Sequence, residues 1–308
     1  MLNTIVFNRN QSLIKICFEL SLHIKSLISQ YNEFRLMIHD VDDLKSEHIA
    51  DINIIAEVKK YLIEKEIKVN AYFEGGDSFL VKDPSVTILI DPIDGSLNRD
   101  LGVGDPGCVF AFAPVNLNEI RFKDIFGGFV FGLHSNHIYA SIYPNTYFYQ
   151  DCNSDPIKIK CDSHLPDKLI DSYLYLNDGY GSHFAKSAYE KAGALPLFVK
   201  HRNAFDNAAL EICQICRGAA HIRVEARSTT VNGKLKGSDH ANILPAFAIG
   251  KGSGLIVTDI EGNSLEDEVV SLDKVSDFIC CSNKLLLNQT IDILKNNRKI
   301  LKQYSFQQ

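Results

Sequence analysis

Residues 86–98 read VTILIDPIDGSLN, a run of β-branched and apolar residues that ends in two aspartates three positions apart. The apolar run predicts a buried strand. Pro92 cannot donate a backbone hydrogen bond to a sheet, so we expect the strand to end at Asp91. Gly95 frees the backbone and Ser96 is a good N-cap, which predicts a capped turn and a helix start directly after the strand.

The two carboxylates, Asp91 and Asp94, repel each other on one rigid turn unless a positive charge neutralises them. Carboxylates, carbonyl oxygens and water are the ligands that Mg²⁺ prefers in proteins. Free N–H groups around Gly95 and Ser96 would form an anion site beside such a metal. A cation next to exposed N–H groups suits a phosphate ester. The simpler alternative is a strand followed by a capped turn that binds nothing.

The overall composition is that of a globular protein of one large or two medium domains. The chain has 308 residues, 45% of them hydrophobic and 23% charged, with a net charge of −6 and a pI near 5.9. The acidic balance argues against nucleic acid as a partner. No apolar run reaches the roughly 18 residues of a membrane span, and the first residues lack the order of a signal peptide. We therefore expect a cytoplasmic protein with no membrane partner.

The 8 cysteines are scattered through a chain that is too long to need disulfide bonds, so we expect reduced thiols. Cys213 and Cys216 have the spacing of zinc ligands. They lie in a helical pattern, ALEICQICRGAA, and no second pair follows at a ligand interval. We favour buried core thiols over a metal site at these two positions, because free cysteine behaves as a small hydrophobe.

The periodicity of apolar residues divides the chain near residue 165. Helical patterns cover 11–28 and about 47–65, and strand-like patterns separated by glycine, proline and asparagine follow to about 150. After the polar stretch 151–168, strands and helices alternate, and LPLFVKH (195–201) is interpreted as one of these strands. We expect an N-terminal α+β half, 1–165, that carries most metal ligands. The C-terminal α/β half, 166–308, would hold the substrate-binding region and the last ligand.

ILIDPIDGSLN (88–98) resembles the first signature of the inositol monophosphatase family, a Mg²⁺-dependent, lithium-sensitive superfamily that also contains fructose-1,6-bisphosphatases. A weaker second signature, an aspartate that opens a helix before a glycine-rich step into a strand, is found in SDHANILPAFAIGKGSGLIVTDIEGNSL (238–265). Between them, NAALEICQICRGAAHIRVEA (207–226) is similar to the family's helix–glycine–strand unit. The resemblance implies a layered αβαβα sandwich of the sugar-phosphatase type, of mixed α+β and α/β class.

The resemblance also implies a metal site for two or three Mg²⁺ ions. Asp91 would bridge two of the ions, and the Ile93 carbonyl with Glu74 would complete one site. Asp94 and Asp239 would hold the second ion. For Asp239 the alternative is a helix N-cap with no metal.

The residues implied in catalysis are Asp51 and Ser96, which would orient the attacking water. Asp51 falls within HIADINIIAE (48–57), where the family has an aspartate that pairs with the hydroxyl now provided by Ser96. The alternative for Asp51 is an exposed helix residue among other charges. Two metal ions would activate the water, and no phosphoenzyme would form.

One departure from the family lies beside Glu74. The family has two consecutive glutamates there, whereas this chain has Glu74 followed by Gly75 and Gly76. The second glutamate is linked in the family to water activation or to a third metal, so its absence bears on catalysis. Asp77 is the candidate replacement, because the two glycines give the segment freedom to bend.

The substrate-binding residues implied by the resemblance are Gly95, Ser96, Arg202, Glu225 and Arg227. The stretch 222–239, IRVEARSTTVNGKLKGSD, is more basic than its counterpart in inositol-specific members, which favours a substrate with additional negative charge. Alternatively, Arg227, Lys234 and Lys236 only solvate an insertion loop.

The leading functional hypothesis is a Mg²⁺-dependent phosphomonoesterase acting on a small sugar or inositol phosphate, of the inositol monophosphate or fructose 1,6-bisphosphate type. The first alternative is a catalytically weakened family member that acts as a phosphate-ester binding protein or as a regulatory protein. The second is a protein whose carboxylates hold only a structural cation. The partner would be a small phosphorylated substrate, and the resemblance implies a homodimer.

Overall fold

The computed structural model describes residues 9–30, 44–95, 104–115, 119–161, 166–177, 181–204, 207–231, 234–236, 240–271 and 274–305. The helices in these stretches are α1 (Arg9–Gln30), α2 (Leu44–Glu64), α3 (Gly181–Ala192), α4 (Ala208–Cys216), α5 (His240–Ser253) and α6 (Lys284–Ser305). None of these helices is both long enough and apolar enough to cross a membrane.

The strands of the first half are β1 (Val69–Phe73), β2 (Ser78–Phe79), β3 (Val86–Asp94), β4 (Gly107–Ala113), β5 (Gly127–Gly132), β6 (Ile138–Ile142), β7 (Asn145–Tyr149) and β8 (Ile157–Lys158). They form one sheet in the order β2-β1-β3-β4-β5-β6-β7-β8. Only β1 and β3 pair in parallel, and the other neighbours are antiparallel. Most neighbours in this sheet are therefore neighbours in sequence.

The strands of the second half are β9 (Tyr173–Leu176), β10 (His201–Asn203), β11 (Ile222–Glu225), β12 (Thr229–Val231), β13 (Lys234–Lys236), β14 (Ile256–Thr258) and β15 (Phe278–Cys281). Five of them form a second sheet in the order β10-β9-β11-β15-β14, and β12 pairs with β13 as a separate hairpin. Strands β10, β9 and β11 are parallel, so their carboxyl ends meet at one edge of the sheet.

Side-chain alternation along β4 gives the first sheet two buried faces. Phe110 and Phe112 pack in one core with α1 and α2, whereas Val109 and Ala111 pack in a second core with α4 and α5. Successive strand residues point to opposite faces, so an uninterrupted apolar strand such as β4 must be covered on both sides. The first sheet is therefore enclosed between two helical layers.

The second sheet is enclosed in the same way. Phe278 of β15 packs toward α4 and α5, and the next residue, Ile279, packs in a third core with α3 and α6. The order of layers is α1/α2, first sheet, α4/α5, second sheet, α3/α6. The predicted αβαβα sandwich is thus confirmed.

The middle layer packs closely on the first sheet. Gly128 of β5 lies against Pro245 of α5, where a methyl group on Gly128 would come within 2.2 Å of the Pro245 carbonyl oxygen. Only glycine allows this approach of helix to strand. Helix α4 lies beside α5 in this layer, and its first turn contacts the end of β3 through Ala209 and Asp94.

Most predicted elements are present, and one is wrong. Helices α1 and α2 lie where the periodicity placed them. The segment 195–201 is not a strand: it begins with a 3₁₀ helix, Leu195–Leu197, and β10 starts only at His201. Pro196 in the first turn of that 3₁₀ helix explains the difference, because proline suits a helix start and not a paired strand. The division of the chain near residue 165 stays a prediction.

Candidate active site

The candidate site is built around the end of β3. The strand does not stop at Asp91, as its sequence predicted, but continues to Asp94. Asp91 pairs with Val109 of β4 and Asp94 pairs with Gly107, so three steps on β3 oppose two steps on β4. A β-bulge thus takes up one extra residue. Pro92 has no N–H to donate, and it lies inside the bulge, where regular pairing is interrupted. The strand can therefore continue past this proline.

Both acids at the bulge are buried. Asp91 is 3% exposed and Asp94 is 5% exposed. Asp91 Oδ1 accepts a hydrogen bond from the backbone N–H of Ile93 at 2.8 Å. Asp94 Oδ2 accepts one from the backbone N–H of Ala209 in the first turn of α4, at 3.2 Å. The bulge therefore carries two buried carboxylates, and that of Asp94 contacts α4 in the middle layer of the fold.

Asn207 fixes the contact between α4 and the bulge. Its side chain caps α4 by accepting a hydrogen bond from Leu210 N at 2.9 Å. Its amide nitrogen donates to the carbonyl oxygens of Asp94, at 3.1 Å, and Asp105, at 3.0 Å. One side chain therefore ties the helix start to the end of β3. The partial positive charge at the start of α4 also lies beside Asp94, where it favours an anion.

The electrostatic state of Asp94 is set mainly by its burial. Removal from water raises the pKa of this carboxyl to about 7, against the lowering effects of the Ala209 N–H, Arg223 and Arg227. Glu211, a like charge, raises it further. A carboxyl with a pKa near neutrality ionises readily when a cation arrives, since the cation favours the charged form.

Glu74 lies beside the bulge in the turn between β1 and β2. Its backbone N–H donates to the carbonyl oxygen of Ile90, the residue before Asp91, at 2.9 Å. Gly76 N donates to Phe73 O at 3.1 Å and closes a β-turn around Glu74 and Gly75. Gly75 and Gly76 have φ of 83° and 88°. This left-handed backbone suits glycine, so a second glutamate at position 75 would be strained.

Asp77, the candidate replacement for the missing second glutamate, bonds to helix α2. Its Oδ2 accepts a hydrogen bond from Lys59 Nζ of α2 at 2.6 Å, and its side chain is 53% exposed. The pKa of the Asp77 carboxyl is lowered, chiefly by this bond to Lys59. Asp77 therefore links the Glu74 turn to the helix that carries Asp51.

Two predicted substrate residues belong to a network at the end of β11. Glu225 is fully buried, and its Oε1 accepts hydrogen bonds from Arg227 Nε at 2.7 Å and Arg227 N at 3.2 Å. Glu225 Oε2 accepts from Arg227 Nη2 at 2.9 Å and from Arg223 Nη2 at 3.3 Å. Arg223 Nε in turn donates to Glu211 Oε2 of α4 at 2.7 Å. Arg227 is thus ion-paired and does not simply solvate a loop.

Arg202 lies at the same edge of the second sheet. It is on β10, and its Nε and Nη2 both approach the carbonyl oxygen of Leu176 at 3.4 Å. Leu176 is in register with Val224, the residue before Glu225. The guanidinium of Arg202 and the carboxylate of Glu225 are therefore both at the carboxyl end of the parallel strands.

Several predicted residues lie outside the described part of the chain. Ser96 and Asp239 are among them, and for Asp51 only its place in α2 is described. Gly95, with φ of 81°, directly follows β3. Within the described stretches, no three His, Cys, Asp or Glu side chains lie close enough to hold a metal ion. Glu74, Asp91 and Asp94 are therefore not gathered into such a group, and the predicted ligand set also includes Asp239, which lies outside these stretches.

The cysteines of α4 are core thiols, as the sequence indicated. Cys213 is 0% exposed and Cys216 is 1% exposed. Burial raises the pKa of both thiols well above its ordinary value. Such thiols are inert toward most reagents and pack as small hydrophobic side chains.

Sequence reasoning missed Asn207 as the link to Asp94, and Glu211 and Arg223 as members of the buried network. Glu211 and Arg223 had a detectable signal, because Glu211 is the single charge in ALEICQIC (209–216) and Arg223 lies with Glu225 in a short strand, both in segments whose apolar residues predict burial. No such signal exists for the pairing of Asn207 with Asp94, because the two are 113 positions apart.

The chain was compared with known proteins by sequence and by structure. No family model matches it. It is 27% identical over 208 residues to a protein of Methanocaldococcus jannaschii named fructose-1,6-bisphosphatase/inositol-1-monophosphatase. The alignment covers 68% of this chain and 70% of that protein.

Solved structures with the same fold cover nearly the whole chain. SuhB of Mycobacterium tuberculosis superposes with a TM-score of 0.67 at 13% identity, over 94% of this chain and 96% of that chain. Inositol monophosphatase II of Staphylococcus aureus superposes with a TM-score of 0.65 at 14% identity, over 96% and 98%. Similarity at this level of identity establishes the architecture, and chemistry has to be argued from the site.

Proposed function

Because the chain has the inositol monophosphatase fold and resembles a fructose-1,6-bisphosphatase/inositol-1-monophosphatase in sequence, we propose that it is a phosphatase. Specifically, it is a Mg²⁺-dependent phosphomonoesterase that hydrolyses a small sugar or inositol phosphate. The observation that carries the proposal is the β-bulge that presents Asp91 and Asp94, 3% and 5% exposed, at the end of β3.

The residues at the bulge fit a hard divalent cation. Their donor atoms are carboxylate and carbonyl oxygens, with no thiol or imidazole among the proposed ligands, and Mg²⁺ selects such a set. Two carboxylates removed from water also need a positive partner to remain ionised together. Glu74, Asp91, the Ile93 carbonyl, Asp94 and Asp239 are the proposed ligands of two or three ions. When bound, the ions supply charge stabilisation for the phosphoryl group and acidify a water molecule.

The remaining proposed roles belong to side chains of this chain. Asp51 and Ser96 orient the attacking water, and Gly95 with Ser96 offers backbone N–H groups to the phosphate. Arg202, Glu225 and Arg227 surround the alcohol half of the substrate, supported by their common position at the carboxyl edge of the second sheet. Positioning and charge stabilisation suffice for phosphoryl transfer, so no covalent nucleophile is required.

The test is release of inorganic phosphate from a panel of inositol 1-phosphate, fructose 1,6-bisphosphate and 3′-phosphoadenosine 5′-phosphate. We expect turnover of at least one substrate that requires Mg²⁺ and stops when a chelator is added. The absence of Mg²⁺-dependent phosphate release from all three, with folded protein, would overturn the proposal. Light scattering on the same sample tests the predicted homodimer.

A second candidate function is favoured by the turn after β1. Gly75 stands where the family has an acid, and Asp77 is bound to Lys59. A protein that retains the metal ligands but lacks this acid would bind phosphate esters with little hydrolysis. Calorimetry that detects tight, Mg²⁺-dependent binding of the same three esters without turnover would favour this candidate over the first.

A further inference from the structure

The first residue of α5, His240, is fully buried and directly follows the proposed ligand Asp239 in the chain. His240 is 0% exposed although it opens a helix. A polar side chain removed from water is stable only when its polar atoms are hydrogen-bonded. Both ring nitrogens of His240 have such partners, and the partners, Ser271 and Ser276, precede β15. The imidazole therefore joins the start of α5 to the chain that leads into the second sheet.

The bonds of the ring define which nitrogen carries its hydrogen. Ser271 N–H donates to His240 Nδ1 at 3.3 Å. Because Nδ1 accepts, the ring is neutral and its hydrogen lies on Nε2. Nε2–H then donates to Ser276 Oγ at 3.0 Å, and Ser276 Oγ donates to Glu268 Oε1 at 3.0 Å. The series of bonds is consistent from end to end and finishes on a carboxylate.

The backbone of His240 is held by the same part of the chain. Its N–H donates to the carbonyl oxygen of Lys274 at 3.0 Å. This N–H belongs to the planar peptide group that joins residues 239 and 240, so the bond restrains the direction in which the chain enters α5. Lys274 Nζ also binds Glu268 Oε1 at 2.6 Å. Three groups of His240, its backbone N and both ring nitrogens, thus contact one segment.

That segment is itself fixed on its other side. Phe122 N donates to Glu268 O at 3.1 Å, and Val270 N donates to Ile120 O at 2.8 Å. The ring of Phe122 also stands edge-on to that of His240, with 4.9 Å between the ring centroids. The support under His240 is therefore bonded to the chain that precedes β5.

We propose that His240 is a positioning residue that holds Asp239 in place for metal binding. This rests on the proposed Mg²⁺-dependent function, in which Asp239 is a ligand, and it adds a side chain that acts through its neighbour in the chain. The observation that carries it is a buried imidazole with both nitrogens bonded to one fixed segment, at the residue next to the ligand. Groups that orient a metal ligand typically change metal affinity by about 10- to 100-fold.

The experiment measures the Kd of Mg²⁺ by calorimetry in the wild-type protein and in three variants. His240→Phe keeps a ring against Phe122 but loses both ring-nitrogen bonds, and should raise the Kd about tenfold or more. His240→Asn retains an acceptor for Ser271 N and should raise it less. Ser276→Ala removes only the partner of Nε2 and should change it in the same direction. An unchanged Kd in all three folded variants, even with a lowered Tm, overturns the proposal.

His221→Phe is the matched control. His221 is 9% exposed, and its Nδ1 accepts a hydrogen bond from Tyr173 N at 2.9 Å. It precedes β11, at the opposite end of that strand from Glu225. The same substitution there should lower the Tm and leave the Kd of Mg²⁺ unchanged. If His221→Phe raises the Kd as much as His240→Phe does, the loss of affinity follows from general destabilisation and His240 has no positioning role.

Calorimetry needs no turnover, so it separates this inference from the proposed phosphatase function. If the wild-type protein binds Mg²⁺ but releases no phosphate from the three esters, the phosphatase proposal fails and the comparison of Kd values still decides the role of His240. If an active wild-type enzyme and the His240 variants bind Mg²⁺ equally well, the inference alone fails. A wild-type protein that binds no Mg²⁺ overturns both.

Discussion

The turn after β1 and the bulge at the end of β3 are neighbours that differ in almost every physical respect. The bulge is buried and held on two sides, by β4 and by the first turn of α4. The turn after β1 is half-buried at Glu74 and exposed from Gly75 to Asp77. It contains two left-handed glycines and is tied to α2 by the Lys59–Asp77 pair. The comparison teaches that the fold carries its proposed metal ligands on two kinds of backbone. Asp91 and Asp94 lie on a paired strand, whereas Glu74 lies in a glycine turn whose backbone bonds to Ile90 of that strand.

The largest expected effect comes from exchanging one aspartate in each region. Asp94→Asn should lower Mg²⁺-dependent phosphate release by about a hundredfold or more, because it removes a proposed metal ligand from a buried site. Asp77→Asn, an equally conservative change at an exposed position, should lower it by less than about threefold, as expected for a surface ion pair. Phosphate release by both variants, at matched Mg²⁺, is the measurement. Equal losses in the two variants would remove the distinction between the regions.

Metal binding should stabilise the fold through the bulge. A ligand that binds only the folded state at about 100 times its Kd adds roughly 2.7 kcal/mol to the free energy of unfolding. We therefore expect Mg²⁺ to raise the Tm of the wild-type protein and to have little effect on Asp94→Asn. Differential scanning fluorimetry over a Mg²⁺ series measures this. If chelation lowers the Tm strongly while no phosphate ester changes it further, the cation is structural.

The pH dependence of the metal-free protein should report the burial of Asp94. Its pKa is raised to about 7, whereas aspartate in an unfolded chain has a pKa of about 3.9. Between these values the folded protein binds a proton that the unfolded chain does not, so this group's contribution to stability is lost as the pH rises through 7. Urea unfolding of the wild-type protein and of Asp94→Asn at several pH values gives the difference between their free energies of unfolding. If that difference does not change with pH, the burial of Asp94 does not affect stability in this way.

The smallest expected effect concerns the glycine turn. Gly75→Ala should cost about 1 kcal/mol of stability, because L-residues are strained in the left-handed region. The cost should be strain alone, since a Cβ at position 75 meets nothing within 4 Å. Gly75→Asn, which tolerates this backbone better, should cost less. Urea denaturation of both variants provides the values, and a larger loss for Asn than for Ala would show that the turn is not the cause.

The contrast between local signals and contacts of distant segments explains what the sequence could predict. The apolar runs before Asp91 and in β4 carry local signals, so these strands could be predicted from them, whereas the five-layer arrangement was implied by the resemblance to a known family. The bulge could not, because it depends on the pairing of Asp94 with Gly107 of another strand. The prediction from Pro92 that the strand ends at Asp91 was therefore wrong, because the strand continues to Asp94.

The residues of the candidate site were likewise predictable only where a local motif marked them. The aspartates of the bulge followed from their motif, but the partners of Asp94 come from α4, more than a hundred positions away. Likewise, the bond of Arg223 on β11 to Glu211 on α4 joins two separate elements. The residue types at the end of β11 predicted charged side chains, and only tertiary contacts show how they pair.

Helix α4 has a thermodynamic consequence that follows from its short length. Within three residues it binds Asp94 through Ala209 N and Arg223 through Glu211, so the bulge and the ion pairs of β11 contact one short helix. A displacement of this helix at one contact therefore moves the other. Linkage makes such coupling reciprocal: whatever free energy a change at the bulge contributes to the ion pairs, the same free energy is contributed in the reverse direction.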